Sequence, residues 1–394
     1  MRNVVVLGCG FAGYHAARRL EKELTGRRRV QLTVVTRRDK FVFTPLLAGV
    51  ASGELAPDHV TTPVAEAFDA RTEVIVDEIN DVDFERRCLI SAEREIPFDY
   101  LLIASGAARN NEAFGGAQKV LGPDTLDDAV ALREQIDDLH ATGDFPLRFA
   151  IIGGSTTGVE WAAELATGLQ LDRGLSHGEG NLLIDLYEAG PRLLPDHSEP
   201  LSELAMEIFE ELKIDVHLEQ SIRSASPTTL VIDEGEELEQ SLVFHCAGRT
   251  GIELWRDTPL TLDKMGRIAV DDTLAIDGLP GVYAAGDAST PTTDVPPSSN
   301  PQIALQQGQW AARNLLANMS GRTQKPFKFE DRGDFIALGR NHAALKLGGI
   351  LLEGKAAWLA YRLYYTALMP RPIQKGRLLM DWIASRIAAN EPSS

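Results

Sequence analysis

Two clusters of small residues carry the first chemical signal. Gly8, Gly10 and Gly13 stand at the spacing Gly-x-Gly-x-x-Gly, with Phe11 and Ala12 between the last two. Gly153, Gly154, Ser155, Thr156, Thr157 and Gly158 repeat that spacing about 145 residues on, with Ser155 in the middle place. In such a turn the first glycine allows a sharp bend, the second lets backbone approach a pyrophosphate, and the third lets helix and strand pack closely. The helix that follows turns unpaired N–H groups and a positive dipole end toward phosphates. The chemistry expected of this chain is therefore dinucleotide binding, twice. Ser155 adds a Cβ where the backbone should be bare, and also a hydroxyl that can bond a phosphate oxygen.

The ribose end of each site differs. Glu188 closes the strand after the second turn; a carboxylate there accepts both ribose hydroxyls and repels a 2′-phosphate, which favours NADH over NADPH. In the first unit Thr36 stands in that place, followed by Arg37 and Arg38. Thr36 can bond a hydroxyl, but it makes a simple NAD site less apt there. Gly286-Asp287, after the apolar run Val282–Ala285, puts a carboxylate at a strand end, where it can bond the ribityl chain of a flavin.

The elements that must position these groups are legible nearby. Val4 to Leu7 reads as a buried parallel strand, Tyr14 to Leu24 as helix and Val30 to Val35 as the next strand, one β-α-β unit. Arg148–Ile152, Val159–Leu169 and Asn181–Tyr187 repeat the pattern. Ala70–Pro97 reads as hairpin material, Asp233–Glu237 as a solvated acidic turn, and Pro291–Pro301 as an irregular loop.

Composition narrows the classes. The chain has 394 residues, 44% apolar and 24% charged, as in folded proteins of two or three domains. No apolar run approaches the ~18 residues of a membrane span. A formal charge of −18 disfavours nucleic acid as a partner. Cys9, Cys88 and Cys246 are far apart and form no CxxC pair, so neither a disulfide framework nor a zinc site is expected. The tail differs in kind. Lys355, Arg362, Arg371, Lys375, Arg377 and Arg386 face only Asp381, so this stretch is +5 and the remainder −23. Trp358, Tyr361, Tyr364, Tyr365 and Trp382 are interleaved. Helical spacing puts Leu379, Trp382, Ile383 and Ile387 on one face, with Arg377, Asp381 and Ser385 opposite.

These residues resemble the flavoproteins with two dinucleotide-binding domains, and specifically the type II NADH dehydrogenases, single-subunit NADH:quinone oxidoreductases. The stretches that carry the resemblance are Val4–Leu20, the loop Phe41-Val42-Phe43-Thr44-Pro45-Leu46-Leu47, Thr157–Leu165 with Glu188–Pro195, and Gln302-Ile303-Ala304-Leu305-Gln306-Gln307-Gly308, similar to the family's quinone-site element. Pro301 stands where the family has Ala, a place in a helix's first turn that tolerates proline. The resemblance implies an α/β fold of two Rossmann-like domains, the NADH domain inserted in the FAD domain, with a C-terminal helical, membrane-associating tail. It implies boundaries at 1–115 and 257–325 for FAD, 116–256 for NADH and 326–394 for the tail. It implies FAD and NADH as cofactors, held by the residues named above with Thr44, Pro45, Ser105, Gly106, Ala247, Gly248, Gln302, Ile303 and Ala304. Glu160, Gln302, Gln306 and Arg362 are the candidates near the nicotinamide and quinone. Snorkelling toward lipid is an equal reading of Arg362.

The activity implied is hydride transfer from NADH to flavin, then two electrons to a quinone, without proton pumping. An amphipathic, basic and aromatic tail would hold the protein on the cytoplasmic face of a membrane without crossing it. Packing on the main domains, or a homodimer interface, is the competing use of those aromatics. Two other functions stay open: a soluble cytoplasmic NADH-dependent flavin reductase with another acceptor, and a non-catalytic redox-sensing nucleotide binder. Sulfide:quinone reductases are disfavoured, since no redox cysteine pair is present.

Overall fold

A computed structural model describes all residues except 25, 27, 28, 178, 234, 293–299 and 389–394, and only the backbone of 385–388. Eight α-helices lie among the described residues: α1 (Phe11–Leu24), α2 (Leu47–Ser52), α3 (Leu126–Thr142), α4 (Thr156–Arg173), α5 (Glu199–Leu212), α6 (Pro301–Met319), α7 (Gly354–Leu368) and α8 (Pro372–Ala388). The chain forms two compact units. The first comprises 1–41, 62–108 and 249–330; the second comprises 42–61, 109–248 and 331–394.

The first unit is built on a five-stranded parallel sheet. Its spatial order is Val282–Ala284, Tyr100–Ile103, Arg2–Leu7, Val30–Thr36 and Thr72–Val76. The central strand is buried on both faces, and Val4, Val5 and Val6 have no exposure. That is why it reads as a continuous β-branched run rather than an alternating one. Its register aligns Val4 with Leu32 on one side and with Tyr100 on the other. α1 packs against α6, and the contact is close because Gly308 sits where a Cβ would lie 2.1 Å from the Ala12 carbonyl oxygen. The hairpin material resolves into an antiparallel sheet of Ile79–Asp83, Cys88–Ser91 and Glu95–Pro97.

The second unit repeats the plan with a four-stranded parallel sheet, ordered Ile214–His217, Leu182–Tyr187, Leu147–Ile152 and Leu242–His245. α4 runs for 18 residues, seven more than Val159–Leu169, because it starts at the glycine turn itself and ends at Gly174 in the left-handed conformation. An antiparallel sheet of Asp334–Ala337, Ala343–Leu347 and Ile350–Glu353 leads into α7 and α8. No helix among the described residues is long and apolar enough to cross a membrane. The irregular loop expected over Pro291–Pro301 falls largely on 293–299, and the acidic turn includes Glu234; both lie outside the described residues.

Candidate functional site

In the first unit the strand Arg2–Leu7 ends in Gly8, whose φ of +100° is closed to most side chains. A Cβ on Gly8 would lie 2.3 Å from the Ala104 carbonyl oxygen, and one on Gly13 would lie 2.0 Å from the Gly8 oxygen. Gly10 is different: a Cβ there would meet nothing within 4 Å. Two of the three glycines thus serve the protein's own packing, and the middle one borders open space at the start of α1. That is the arrangement a pyrophosphate cradle needs. Phe11 packs its ring against Phe41 at 5.5 Å, and Ala12 supports both Gly286 and Gly308.

Gly286–Ala288 forms a short 3-10 turn after the sheet-edge strand. Gly286 donates its N–H to the Gln307 side-chain oxygen at 2.8 Å. The other end of that amide, Gln307 Nε2, is buried with no hydrogen-bond partner among the described residues. An unpaired buried donor costs free energy unless something accepts from it. It therefore fits a bound group with acceptor atoms beside Gly286 and Asp287. Sequence similarity singles out Gln302 and Gln306 on this helix, whereas the unpaired donor belongs to Gln307. Gln306 is taken up by the backbone of Glu330, donating to its oxygen at 2.8 Å and accepting from its N–H at 2.9 Å. Gln302 lies in the first turn of α6, capped by Asn300, with Ile303 and Ala304 buried behind it. Ser105 accepts from the indole N–H of Trp255 at 3.2 Å, and Gly106 follows at φ +73°. Asp287 lies 3.8 Å from Arg249. Thr36 is nearly buried and donates to the Arg38 carbonyl at 3.1 Å, whereas Arg37 is exposed beside Glu78.

The second unit carries the equivalent turn. A Cβ on Gly153 would meet the Ala247 backbone at 2.8 Å, and one on Gly158 would lie 1.8 Å from the Gly153 oxygen. Cys246 and Ala247 thus form the wall behind the turn, and Gly248 follows at φ +75°. Ser155 precedes α4 but makes no side-chain cap bond. Its hydroxyl is not used to cap the helix. Glu188 accepts from Gly154 N–H at 2.6 Å with one oxygen and from Gly190 N–H at 2.7 Å with the other. The acid thus shapes the turn. Thr157 is exposed, while the Thr156 hydroxyl lies 2.7 Å from His197 Nε2.

One face of α4 is polar although the helix is largely buried. Thr156, Glu160, Glu164 and Thr167 recur at helical spacing along it. Glu160 accepts from Ala337 N–H at 3.0 Å, and burial pushes its carboxyl up to about 7. Glu164 accepts from Ser52 Oγ at 2.7 Å and from Arg340 Nε at 3.3 Å; burial, with Glu54 nearby, pushes it up to about 7 as well. Arg340 also grips Asp172 with two nitrogens, at 2.9 and 2.6 Å. Tyr361 and Tyr365 of α7 are buried in this region, and the nearby charge of Glu160 helps hold both phenols protonated. Tyr361 donates to the Pro45 carbonyl at 3.3 Å, and Phe43 meets Tyr365 edge-on at 5.6 Å. Thr44 is exposed. Glu164 lay four residues beyond Glu160, a spacing that could have flagged it; nothing local pointed to Arg340.

The tail reading needs correction. Arg362 does not snorkel: it is 5% exposed, paired with Glu54, and covered by the rings of Trp358 and Trp382 at 3.5 and 4.8 Å. Trp382 is buried, whereas Leu379 and Ile383 are exposed, so the expected apolar face splits. The docked face of α8 includes Asp381, which binds His59 at 2.7 Å and accepts from Ala56 N–H. The side chains of Ser385 and Ile387 lie outside the described residues. The exposed stripe is instead Ile373, Met380 and Ile383, joined by Leu359 and Leu363 of α7 and by Leu347 and Ile350 of the hairpin before it.

Comparison with known proteins places this geometry. The sequence pattern of the pyridine nucleotide-disulphide oxidoreductase family matches residues 2–308. The demethylphylloquinone reductase NdbB of Synechocystis is 28% identical over 414 residues, covering 99% of this chain and 98% of that protein. The type II NADH:quinone oxidoreductase Ndh of Mycobacterium tuberculosis is 25% identical, covering 96% and 87%. In fold, the chain is similar to the structure of NDH2 from Plasmodium falciparum in complex with NADH, at a TM-score of 0.87 and 20% identity over 99% of both chains.

Proposed function

We propose, for a chain that belongs to the pyridine nucleotide-disulphide oxidoreductase family, the FAD-dependent reduction of a quinone by NADH. The observation that carries this reading is the pair of strand–glycine turn–helix cradles. Each excludes a Cβ at its first and last glycine by its own packing, and the second is closed by Glu188. The names of the relatives, quinone reductases that match nearly the full length, support the same acceptor.

The first unit would hold FAD through Gly8, Gly10, Phe11, Ala12 and Gly13, with Thr36 and Arg37 toward the adenosine. Ser105, Gly106, Gly286, Asp287, Ile303 and Ala304 would line the remainder; Thr44 and Pro45, which the resemblance also assigns, belong to the second unit. The second unit would hold NADH through Gly153–Gly158, Glu188, Ala247 and Gly248. The flavin, when bound, accepts a hydride and passes on two electrons. The overall balance is NADH, one proton and quinone giving NAD⁺ and quinol, so the protein must admit one proton from water. Glu160 suits that task, because a carboxyl that titrates about 7 can both hold and release a proton at neutral pH. Gln302 and Arg362 are the further polar candidates. Gln306 acts at one remove, by fixing Glu330. The tail would rest on the cytoplasmic face of a membrane through Leu359, Leu363, Ile373, Met380 and Ile383, all exposed.

The test is anaerobic. Purified protein with bound flavin is mixed with NADH, and NADH loss is followed with and without a short-chain quinone. The reading expects flavin bleaching by NADH and continuous NADH loss only with quinone. Bleaching without quinone-dependent turnover would refute the acceptor, and an unbleached flavin would refute the NADH site.

A further inference from the structure

One hydrogen-bonded chain runs from Thr156 of the second turn to two residues, His197 and Asp334, that have no part in the reaction above. His197 Nε2 lies 2.7 Å from Thr156 Oγ1, and His197 Nδ1 lies 3.0 Å from Asp334 Oδ2. The imidazole is only 10% exposed. Its loop is held rigidly to the turn. Leu194 N–H donates to the Gly154 carbonyl at 2.8 Å, and the Arg192 guanidinium donates to the carbonyls of Leu194, Pro195 and His197. Thr156 is the first residue of α4, where N–H groups lack intrahelical partners and face the turn.

Proton counting along this chain gives two states. An ionised Asp334 can only accept, so Nδ1 carries a hydrogen. With a neutral imidazole, Nε2 is an acceptor and takes the only hydrogen of the Thr156 hydroxyl. The hydroxyl then offers lone pairs to whatever sits at the turn. With an imidazolium, Nε2 donates to Thr156 Oγ1, and the threonine hydrogen is free to point outward. Phosphate oxygens are acceptors, so only the second state offers them a donor.

We propose that His197, held by Asp334, is a positioning residue for the dinucleotide: it turns the Thr156 hydroxyl into a phosphate donor when protonated. This rests on reading Gly153–Gly158 as the dinucleotide turn. The charged groups facing His197 are Asp334 from the strand, Glu160 from α4, whose charge couples to the imidazole, and Arg192 from the loop.

The test uses the full-length, FAD-loaded, oxidised protein and NAD⁺, which cannot reduce the flavin. Its Kd is measured by titration calorimetry from pH 5.5 to 8.5. The wild type should weaken about tenfold as the imidazole loses its proton, the size of one charge-assisted hydrogen bond. His197→Gln and Thr156→Val should both abolish that dependence. Thr156→Val leaves His197 packing in place, so it carries the test even if the histidine variant folds poorly. A pH-independent wild-type Kd, or a Thr156→Val variant that keeps the wild-type dependence, overturns the proposal. Absence of NAD⁺ binding at every pH would overturn the nucleotide reading itself, and this inference with it.

Discussion

Replacing Glu160 by Gln should slow quinone reduction while making the protein more stable at alkaline pH. Glu160 is held in a part-buried site against Ala337 N–H, and burial raises its carboxyl from 4.5 to about 7. A folded-state pKa above the unfolded one means that the folded protein binds this proton more tightly. Its contribution is therefore neutral below about 4.5, and stability is lost as pH rises from there to about 7, after which the full cost persists. Moving a carboxyl that far corresponds to about 3 kcal/mol. Residual solvent contact reduces the figure to about 2 kcal/mol. Gln keeps an oxygen for Ala337 N–H and carries no charge. Glu160→Gln should thus be close to wild-type stability at pH 4.5 and about 2 kcal/mol more stable at pH 8, as measured by urea unfolding. The same change removes a proton donor, and general acid catalysis contributes roughly 10²–10⁴-fold. Quinone-dependent kcat should fall within that range, and the decline of wild-type kcat above pH 7 should vanish. The half-reaction in which NADH bleaches the flavin needs no proton from Glu160 and should be little changed. If the variant keeps the wild-type pH profile of kcat and is no more stable at pH 8, then Glu160 is neither the proton holder nor a desolvated acid.

Four further outcomes follow from the same geometry. Gly10→Ala should lower bound flavin, read from absorbance per protein, with apo stability unchanged. Gly13→Ala should fail to accumulate as folded protein, because its Cβ would lie 2.0 Å from the Gly8 oxygen. Arg362→Met takes from buried Glu54 its nearer cation and leaves Arg340 at 4.0 Å, and should cost at most about 3–5 kcal/mol; Arg362→Met with Glu54→Gln should recover a large part, as measured by urea unfolding. Leu363→Asp, Met380→Asp and Ile383→Asp together should abolish co-sedimentation with anionic vesicles and leave flavin bleaching by NADH intact. Retained vesicle binding would move the membrane contact elsewhere.

What could be read from the sequence is what local backbone physics dictates. Gly8 is glycine because a positive φ and sub-3 Å approaches exclude a side chain, and Gly13 because of the sub-3 Å approach alone, so their spacing marks the turn. Val4–Val6 reads as a parallel strand because both of its faces are buried. Glu188 could be placed by counting strands, since it ends one.

The tail obeyed different physics. Arg362 reads as a surface cation from its neighbours in the chain, but its partner Glu54 lies 308 residues away and no periodicity reports it. Trp382 and Ile383 are adjacent and both apolar, yet about 100° apart around a helix, and the boundary between docked and exposed faces falls between them. The same reasoning explains why Gln306 was preferred to Gln307. Side-chain type suggested that either could bind a ligand, and only the fold shows that Gln306 is engaged by the Glu330 backbone while Gln307 keeps a buried N–H donor without a partner among the described residues. Polar groups on helices are thus assigned by what remains unpaired after packing, a quantity that depends on distant segments. For α4 that accounting is decisive. Its polar face meets the strand Asp334–Ala337 at Ala337, the turn after that strand at Arg340, and the histidine loop at Thr156. Substitutions in the tail's strand should therefore be felt at the nucleotide turn through α4, even though no residue of the strand belongs to either glycine motif.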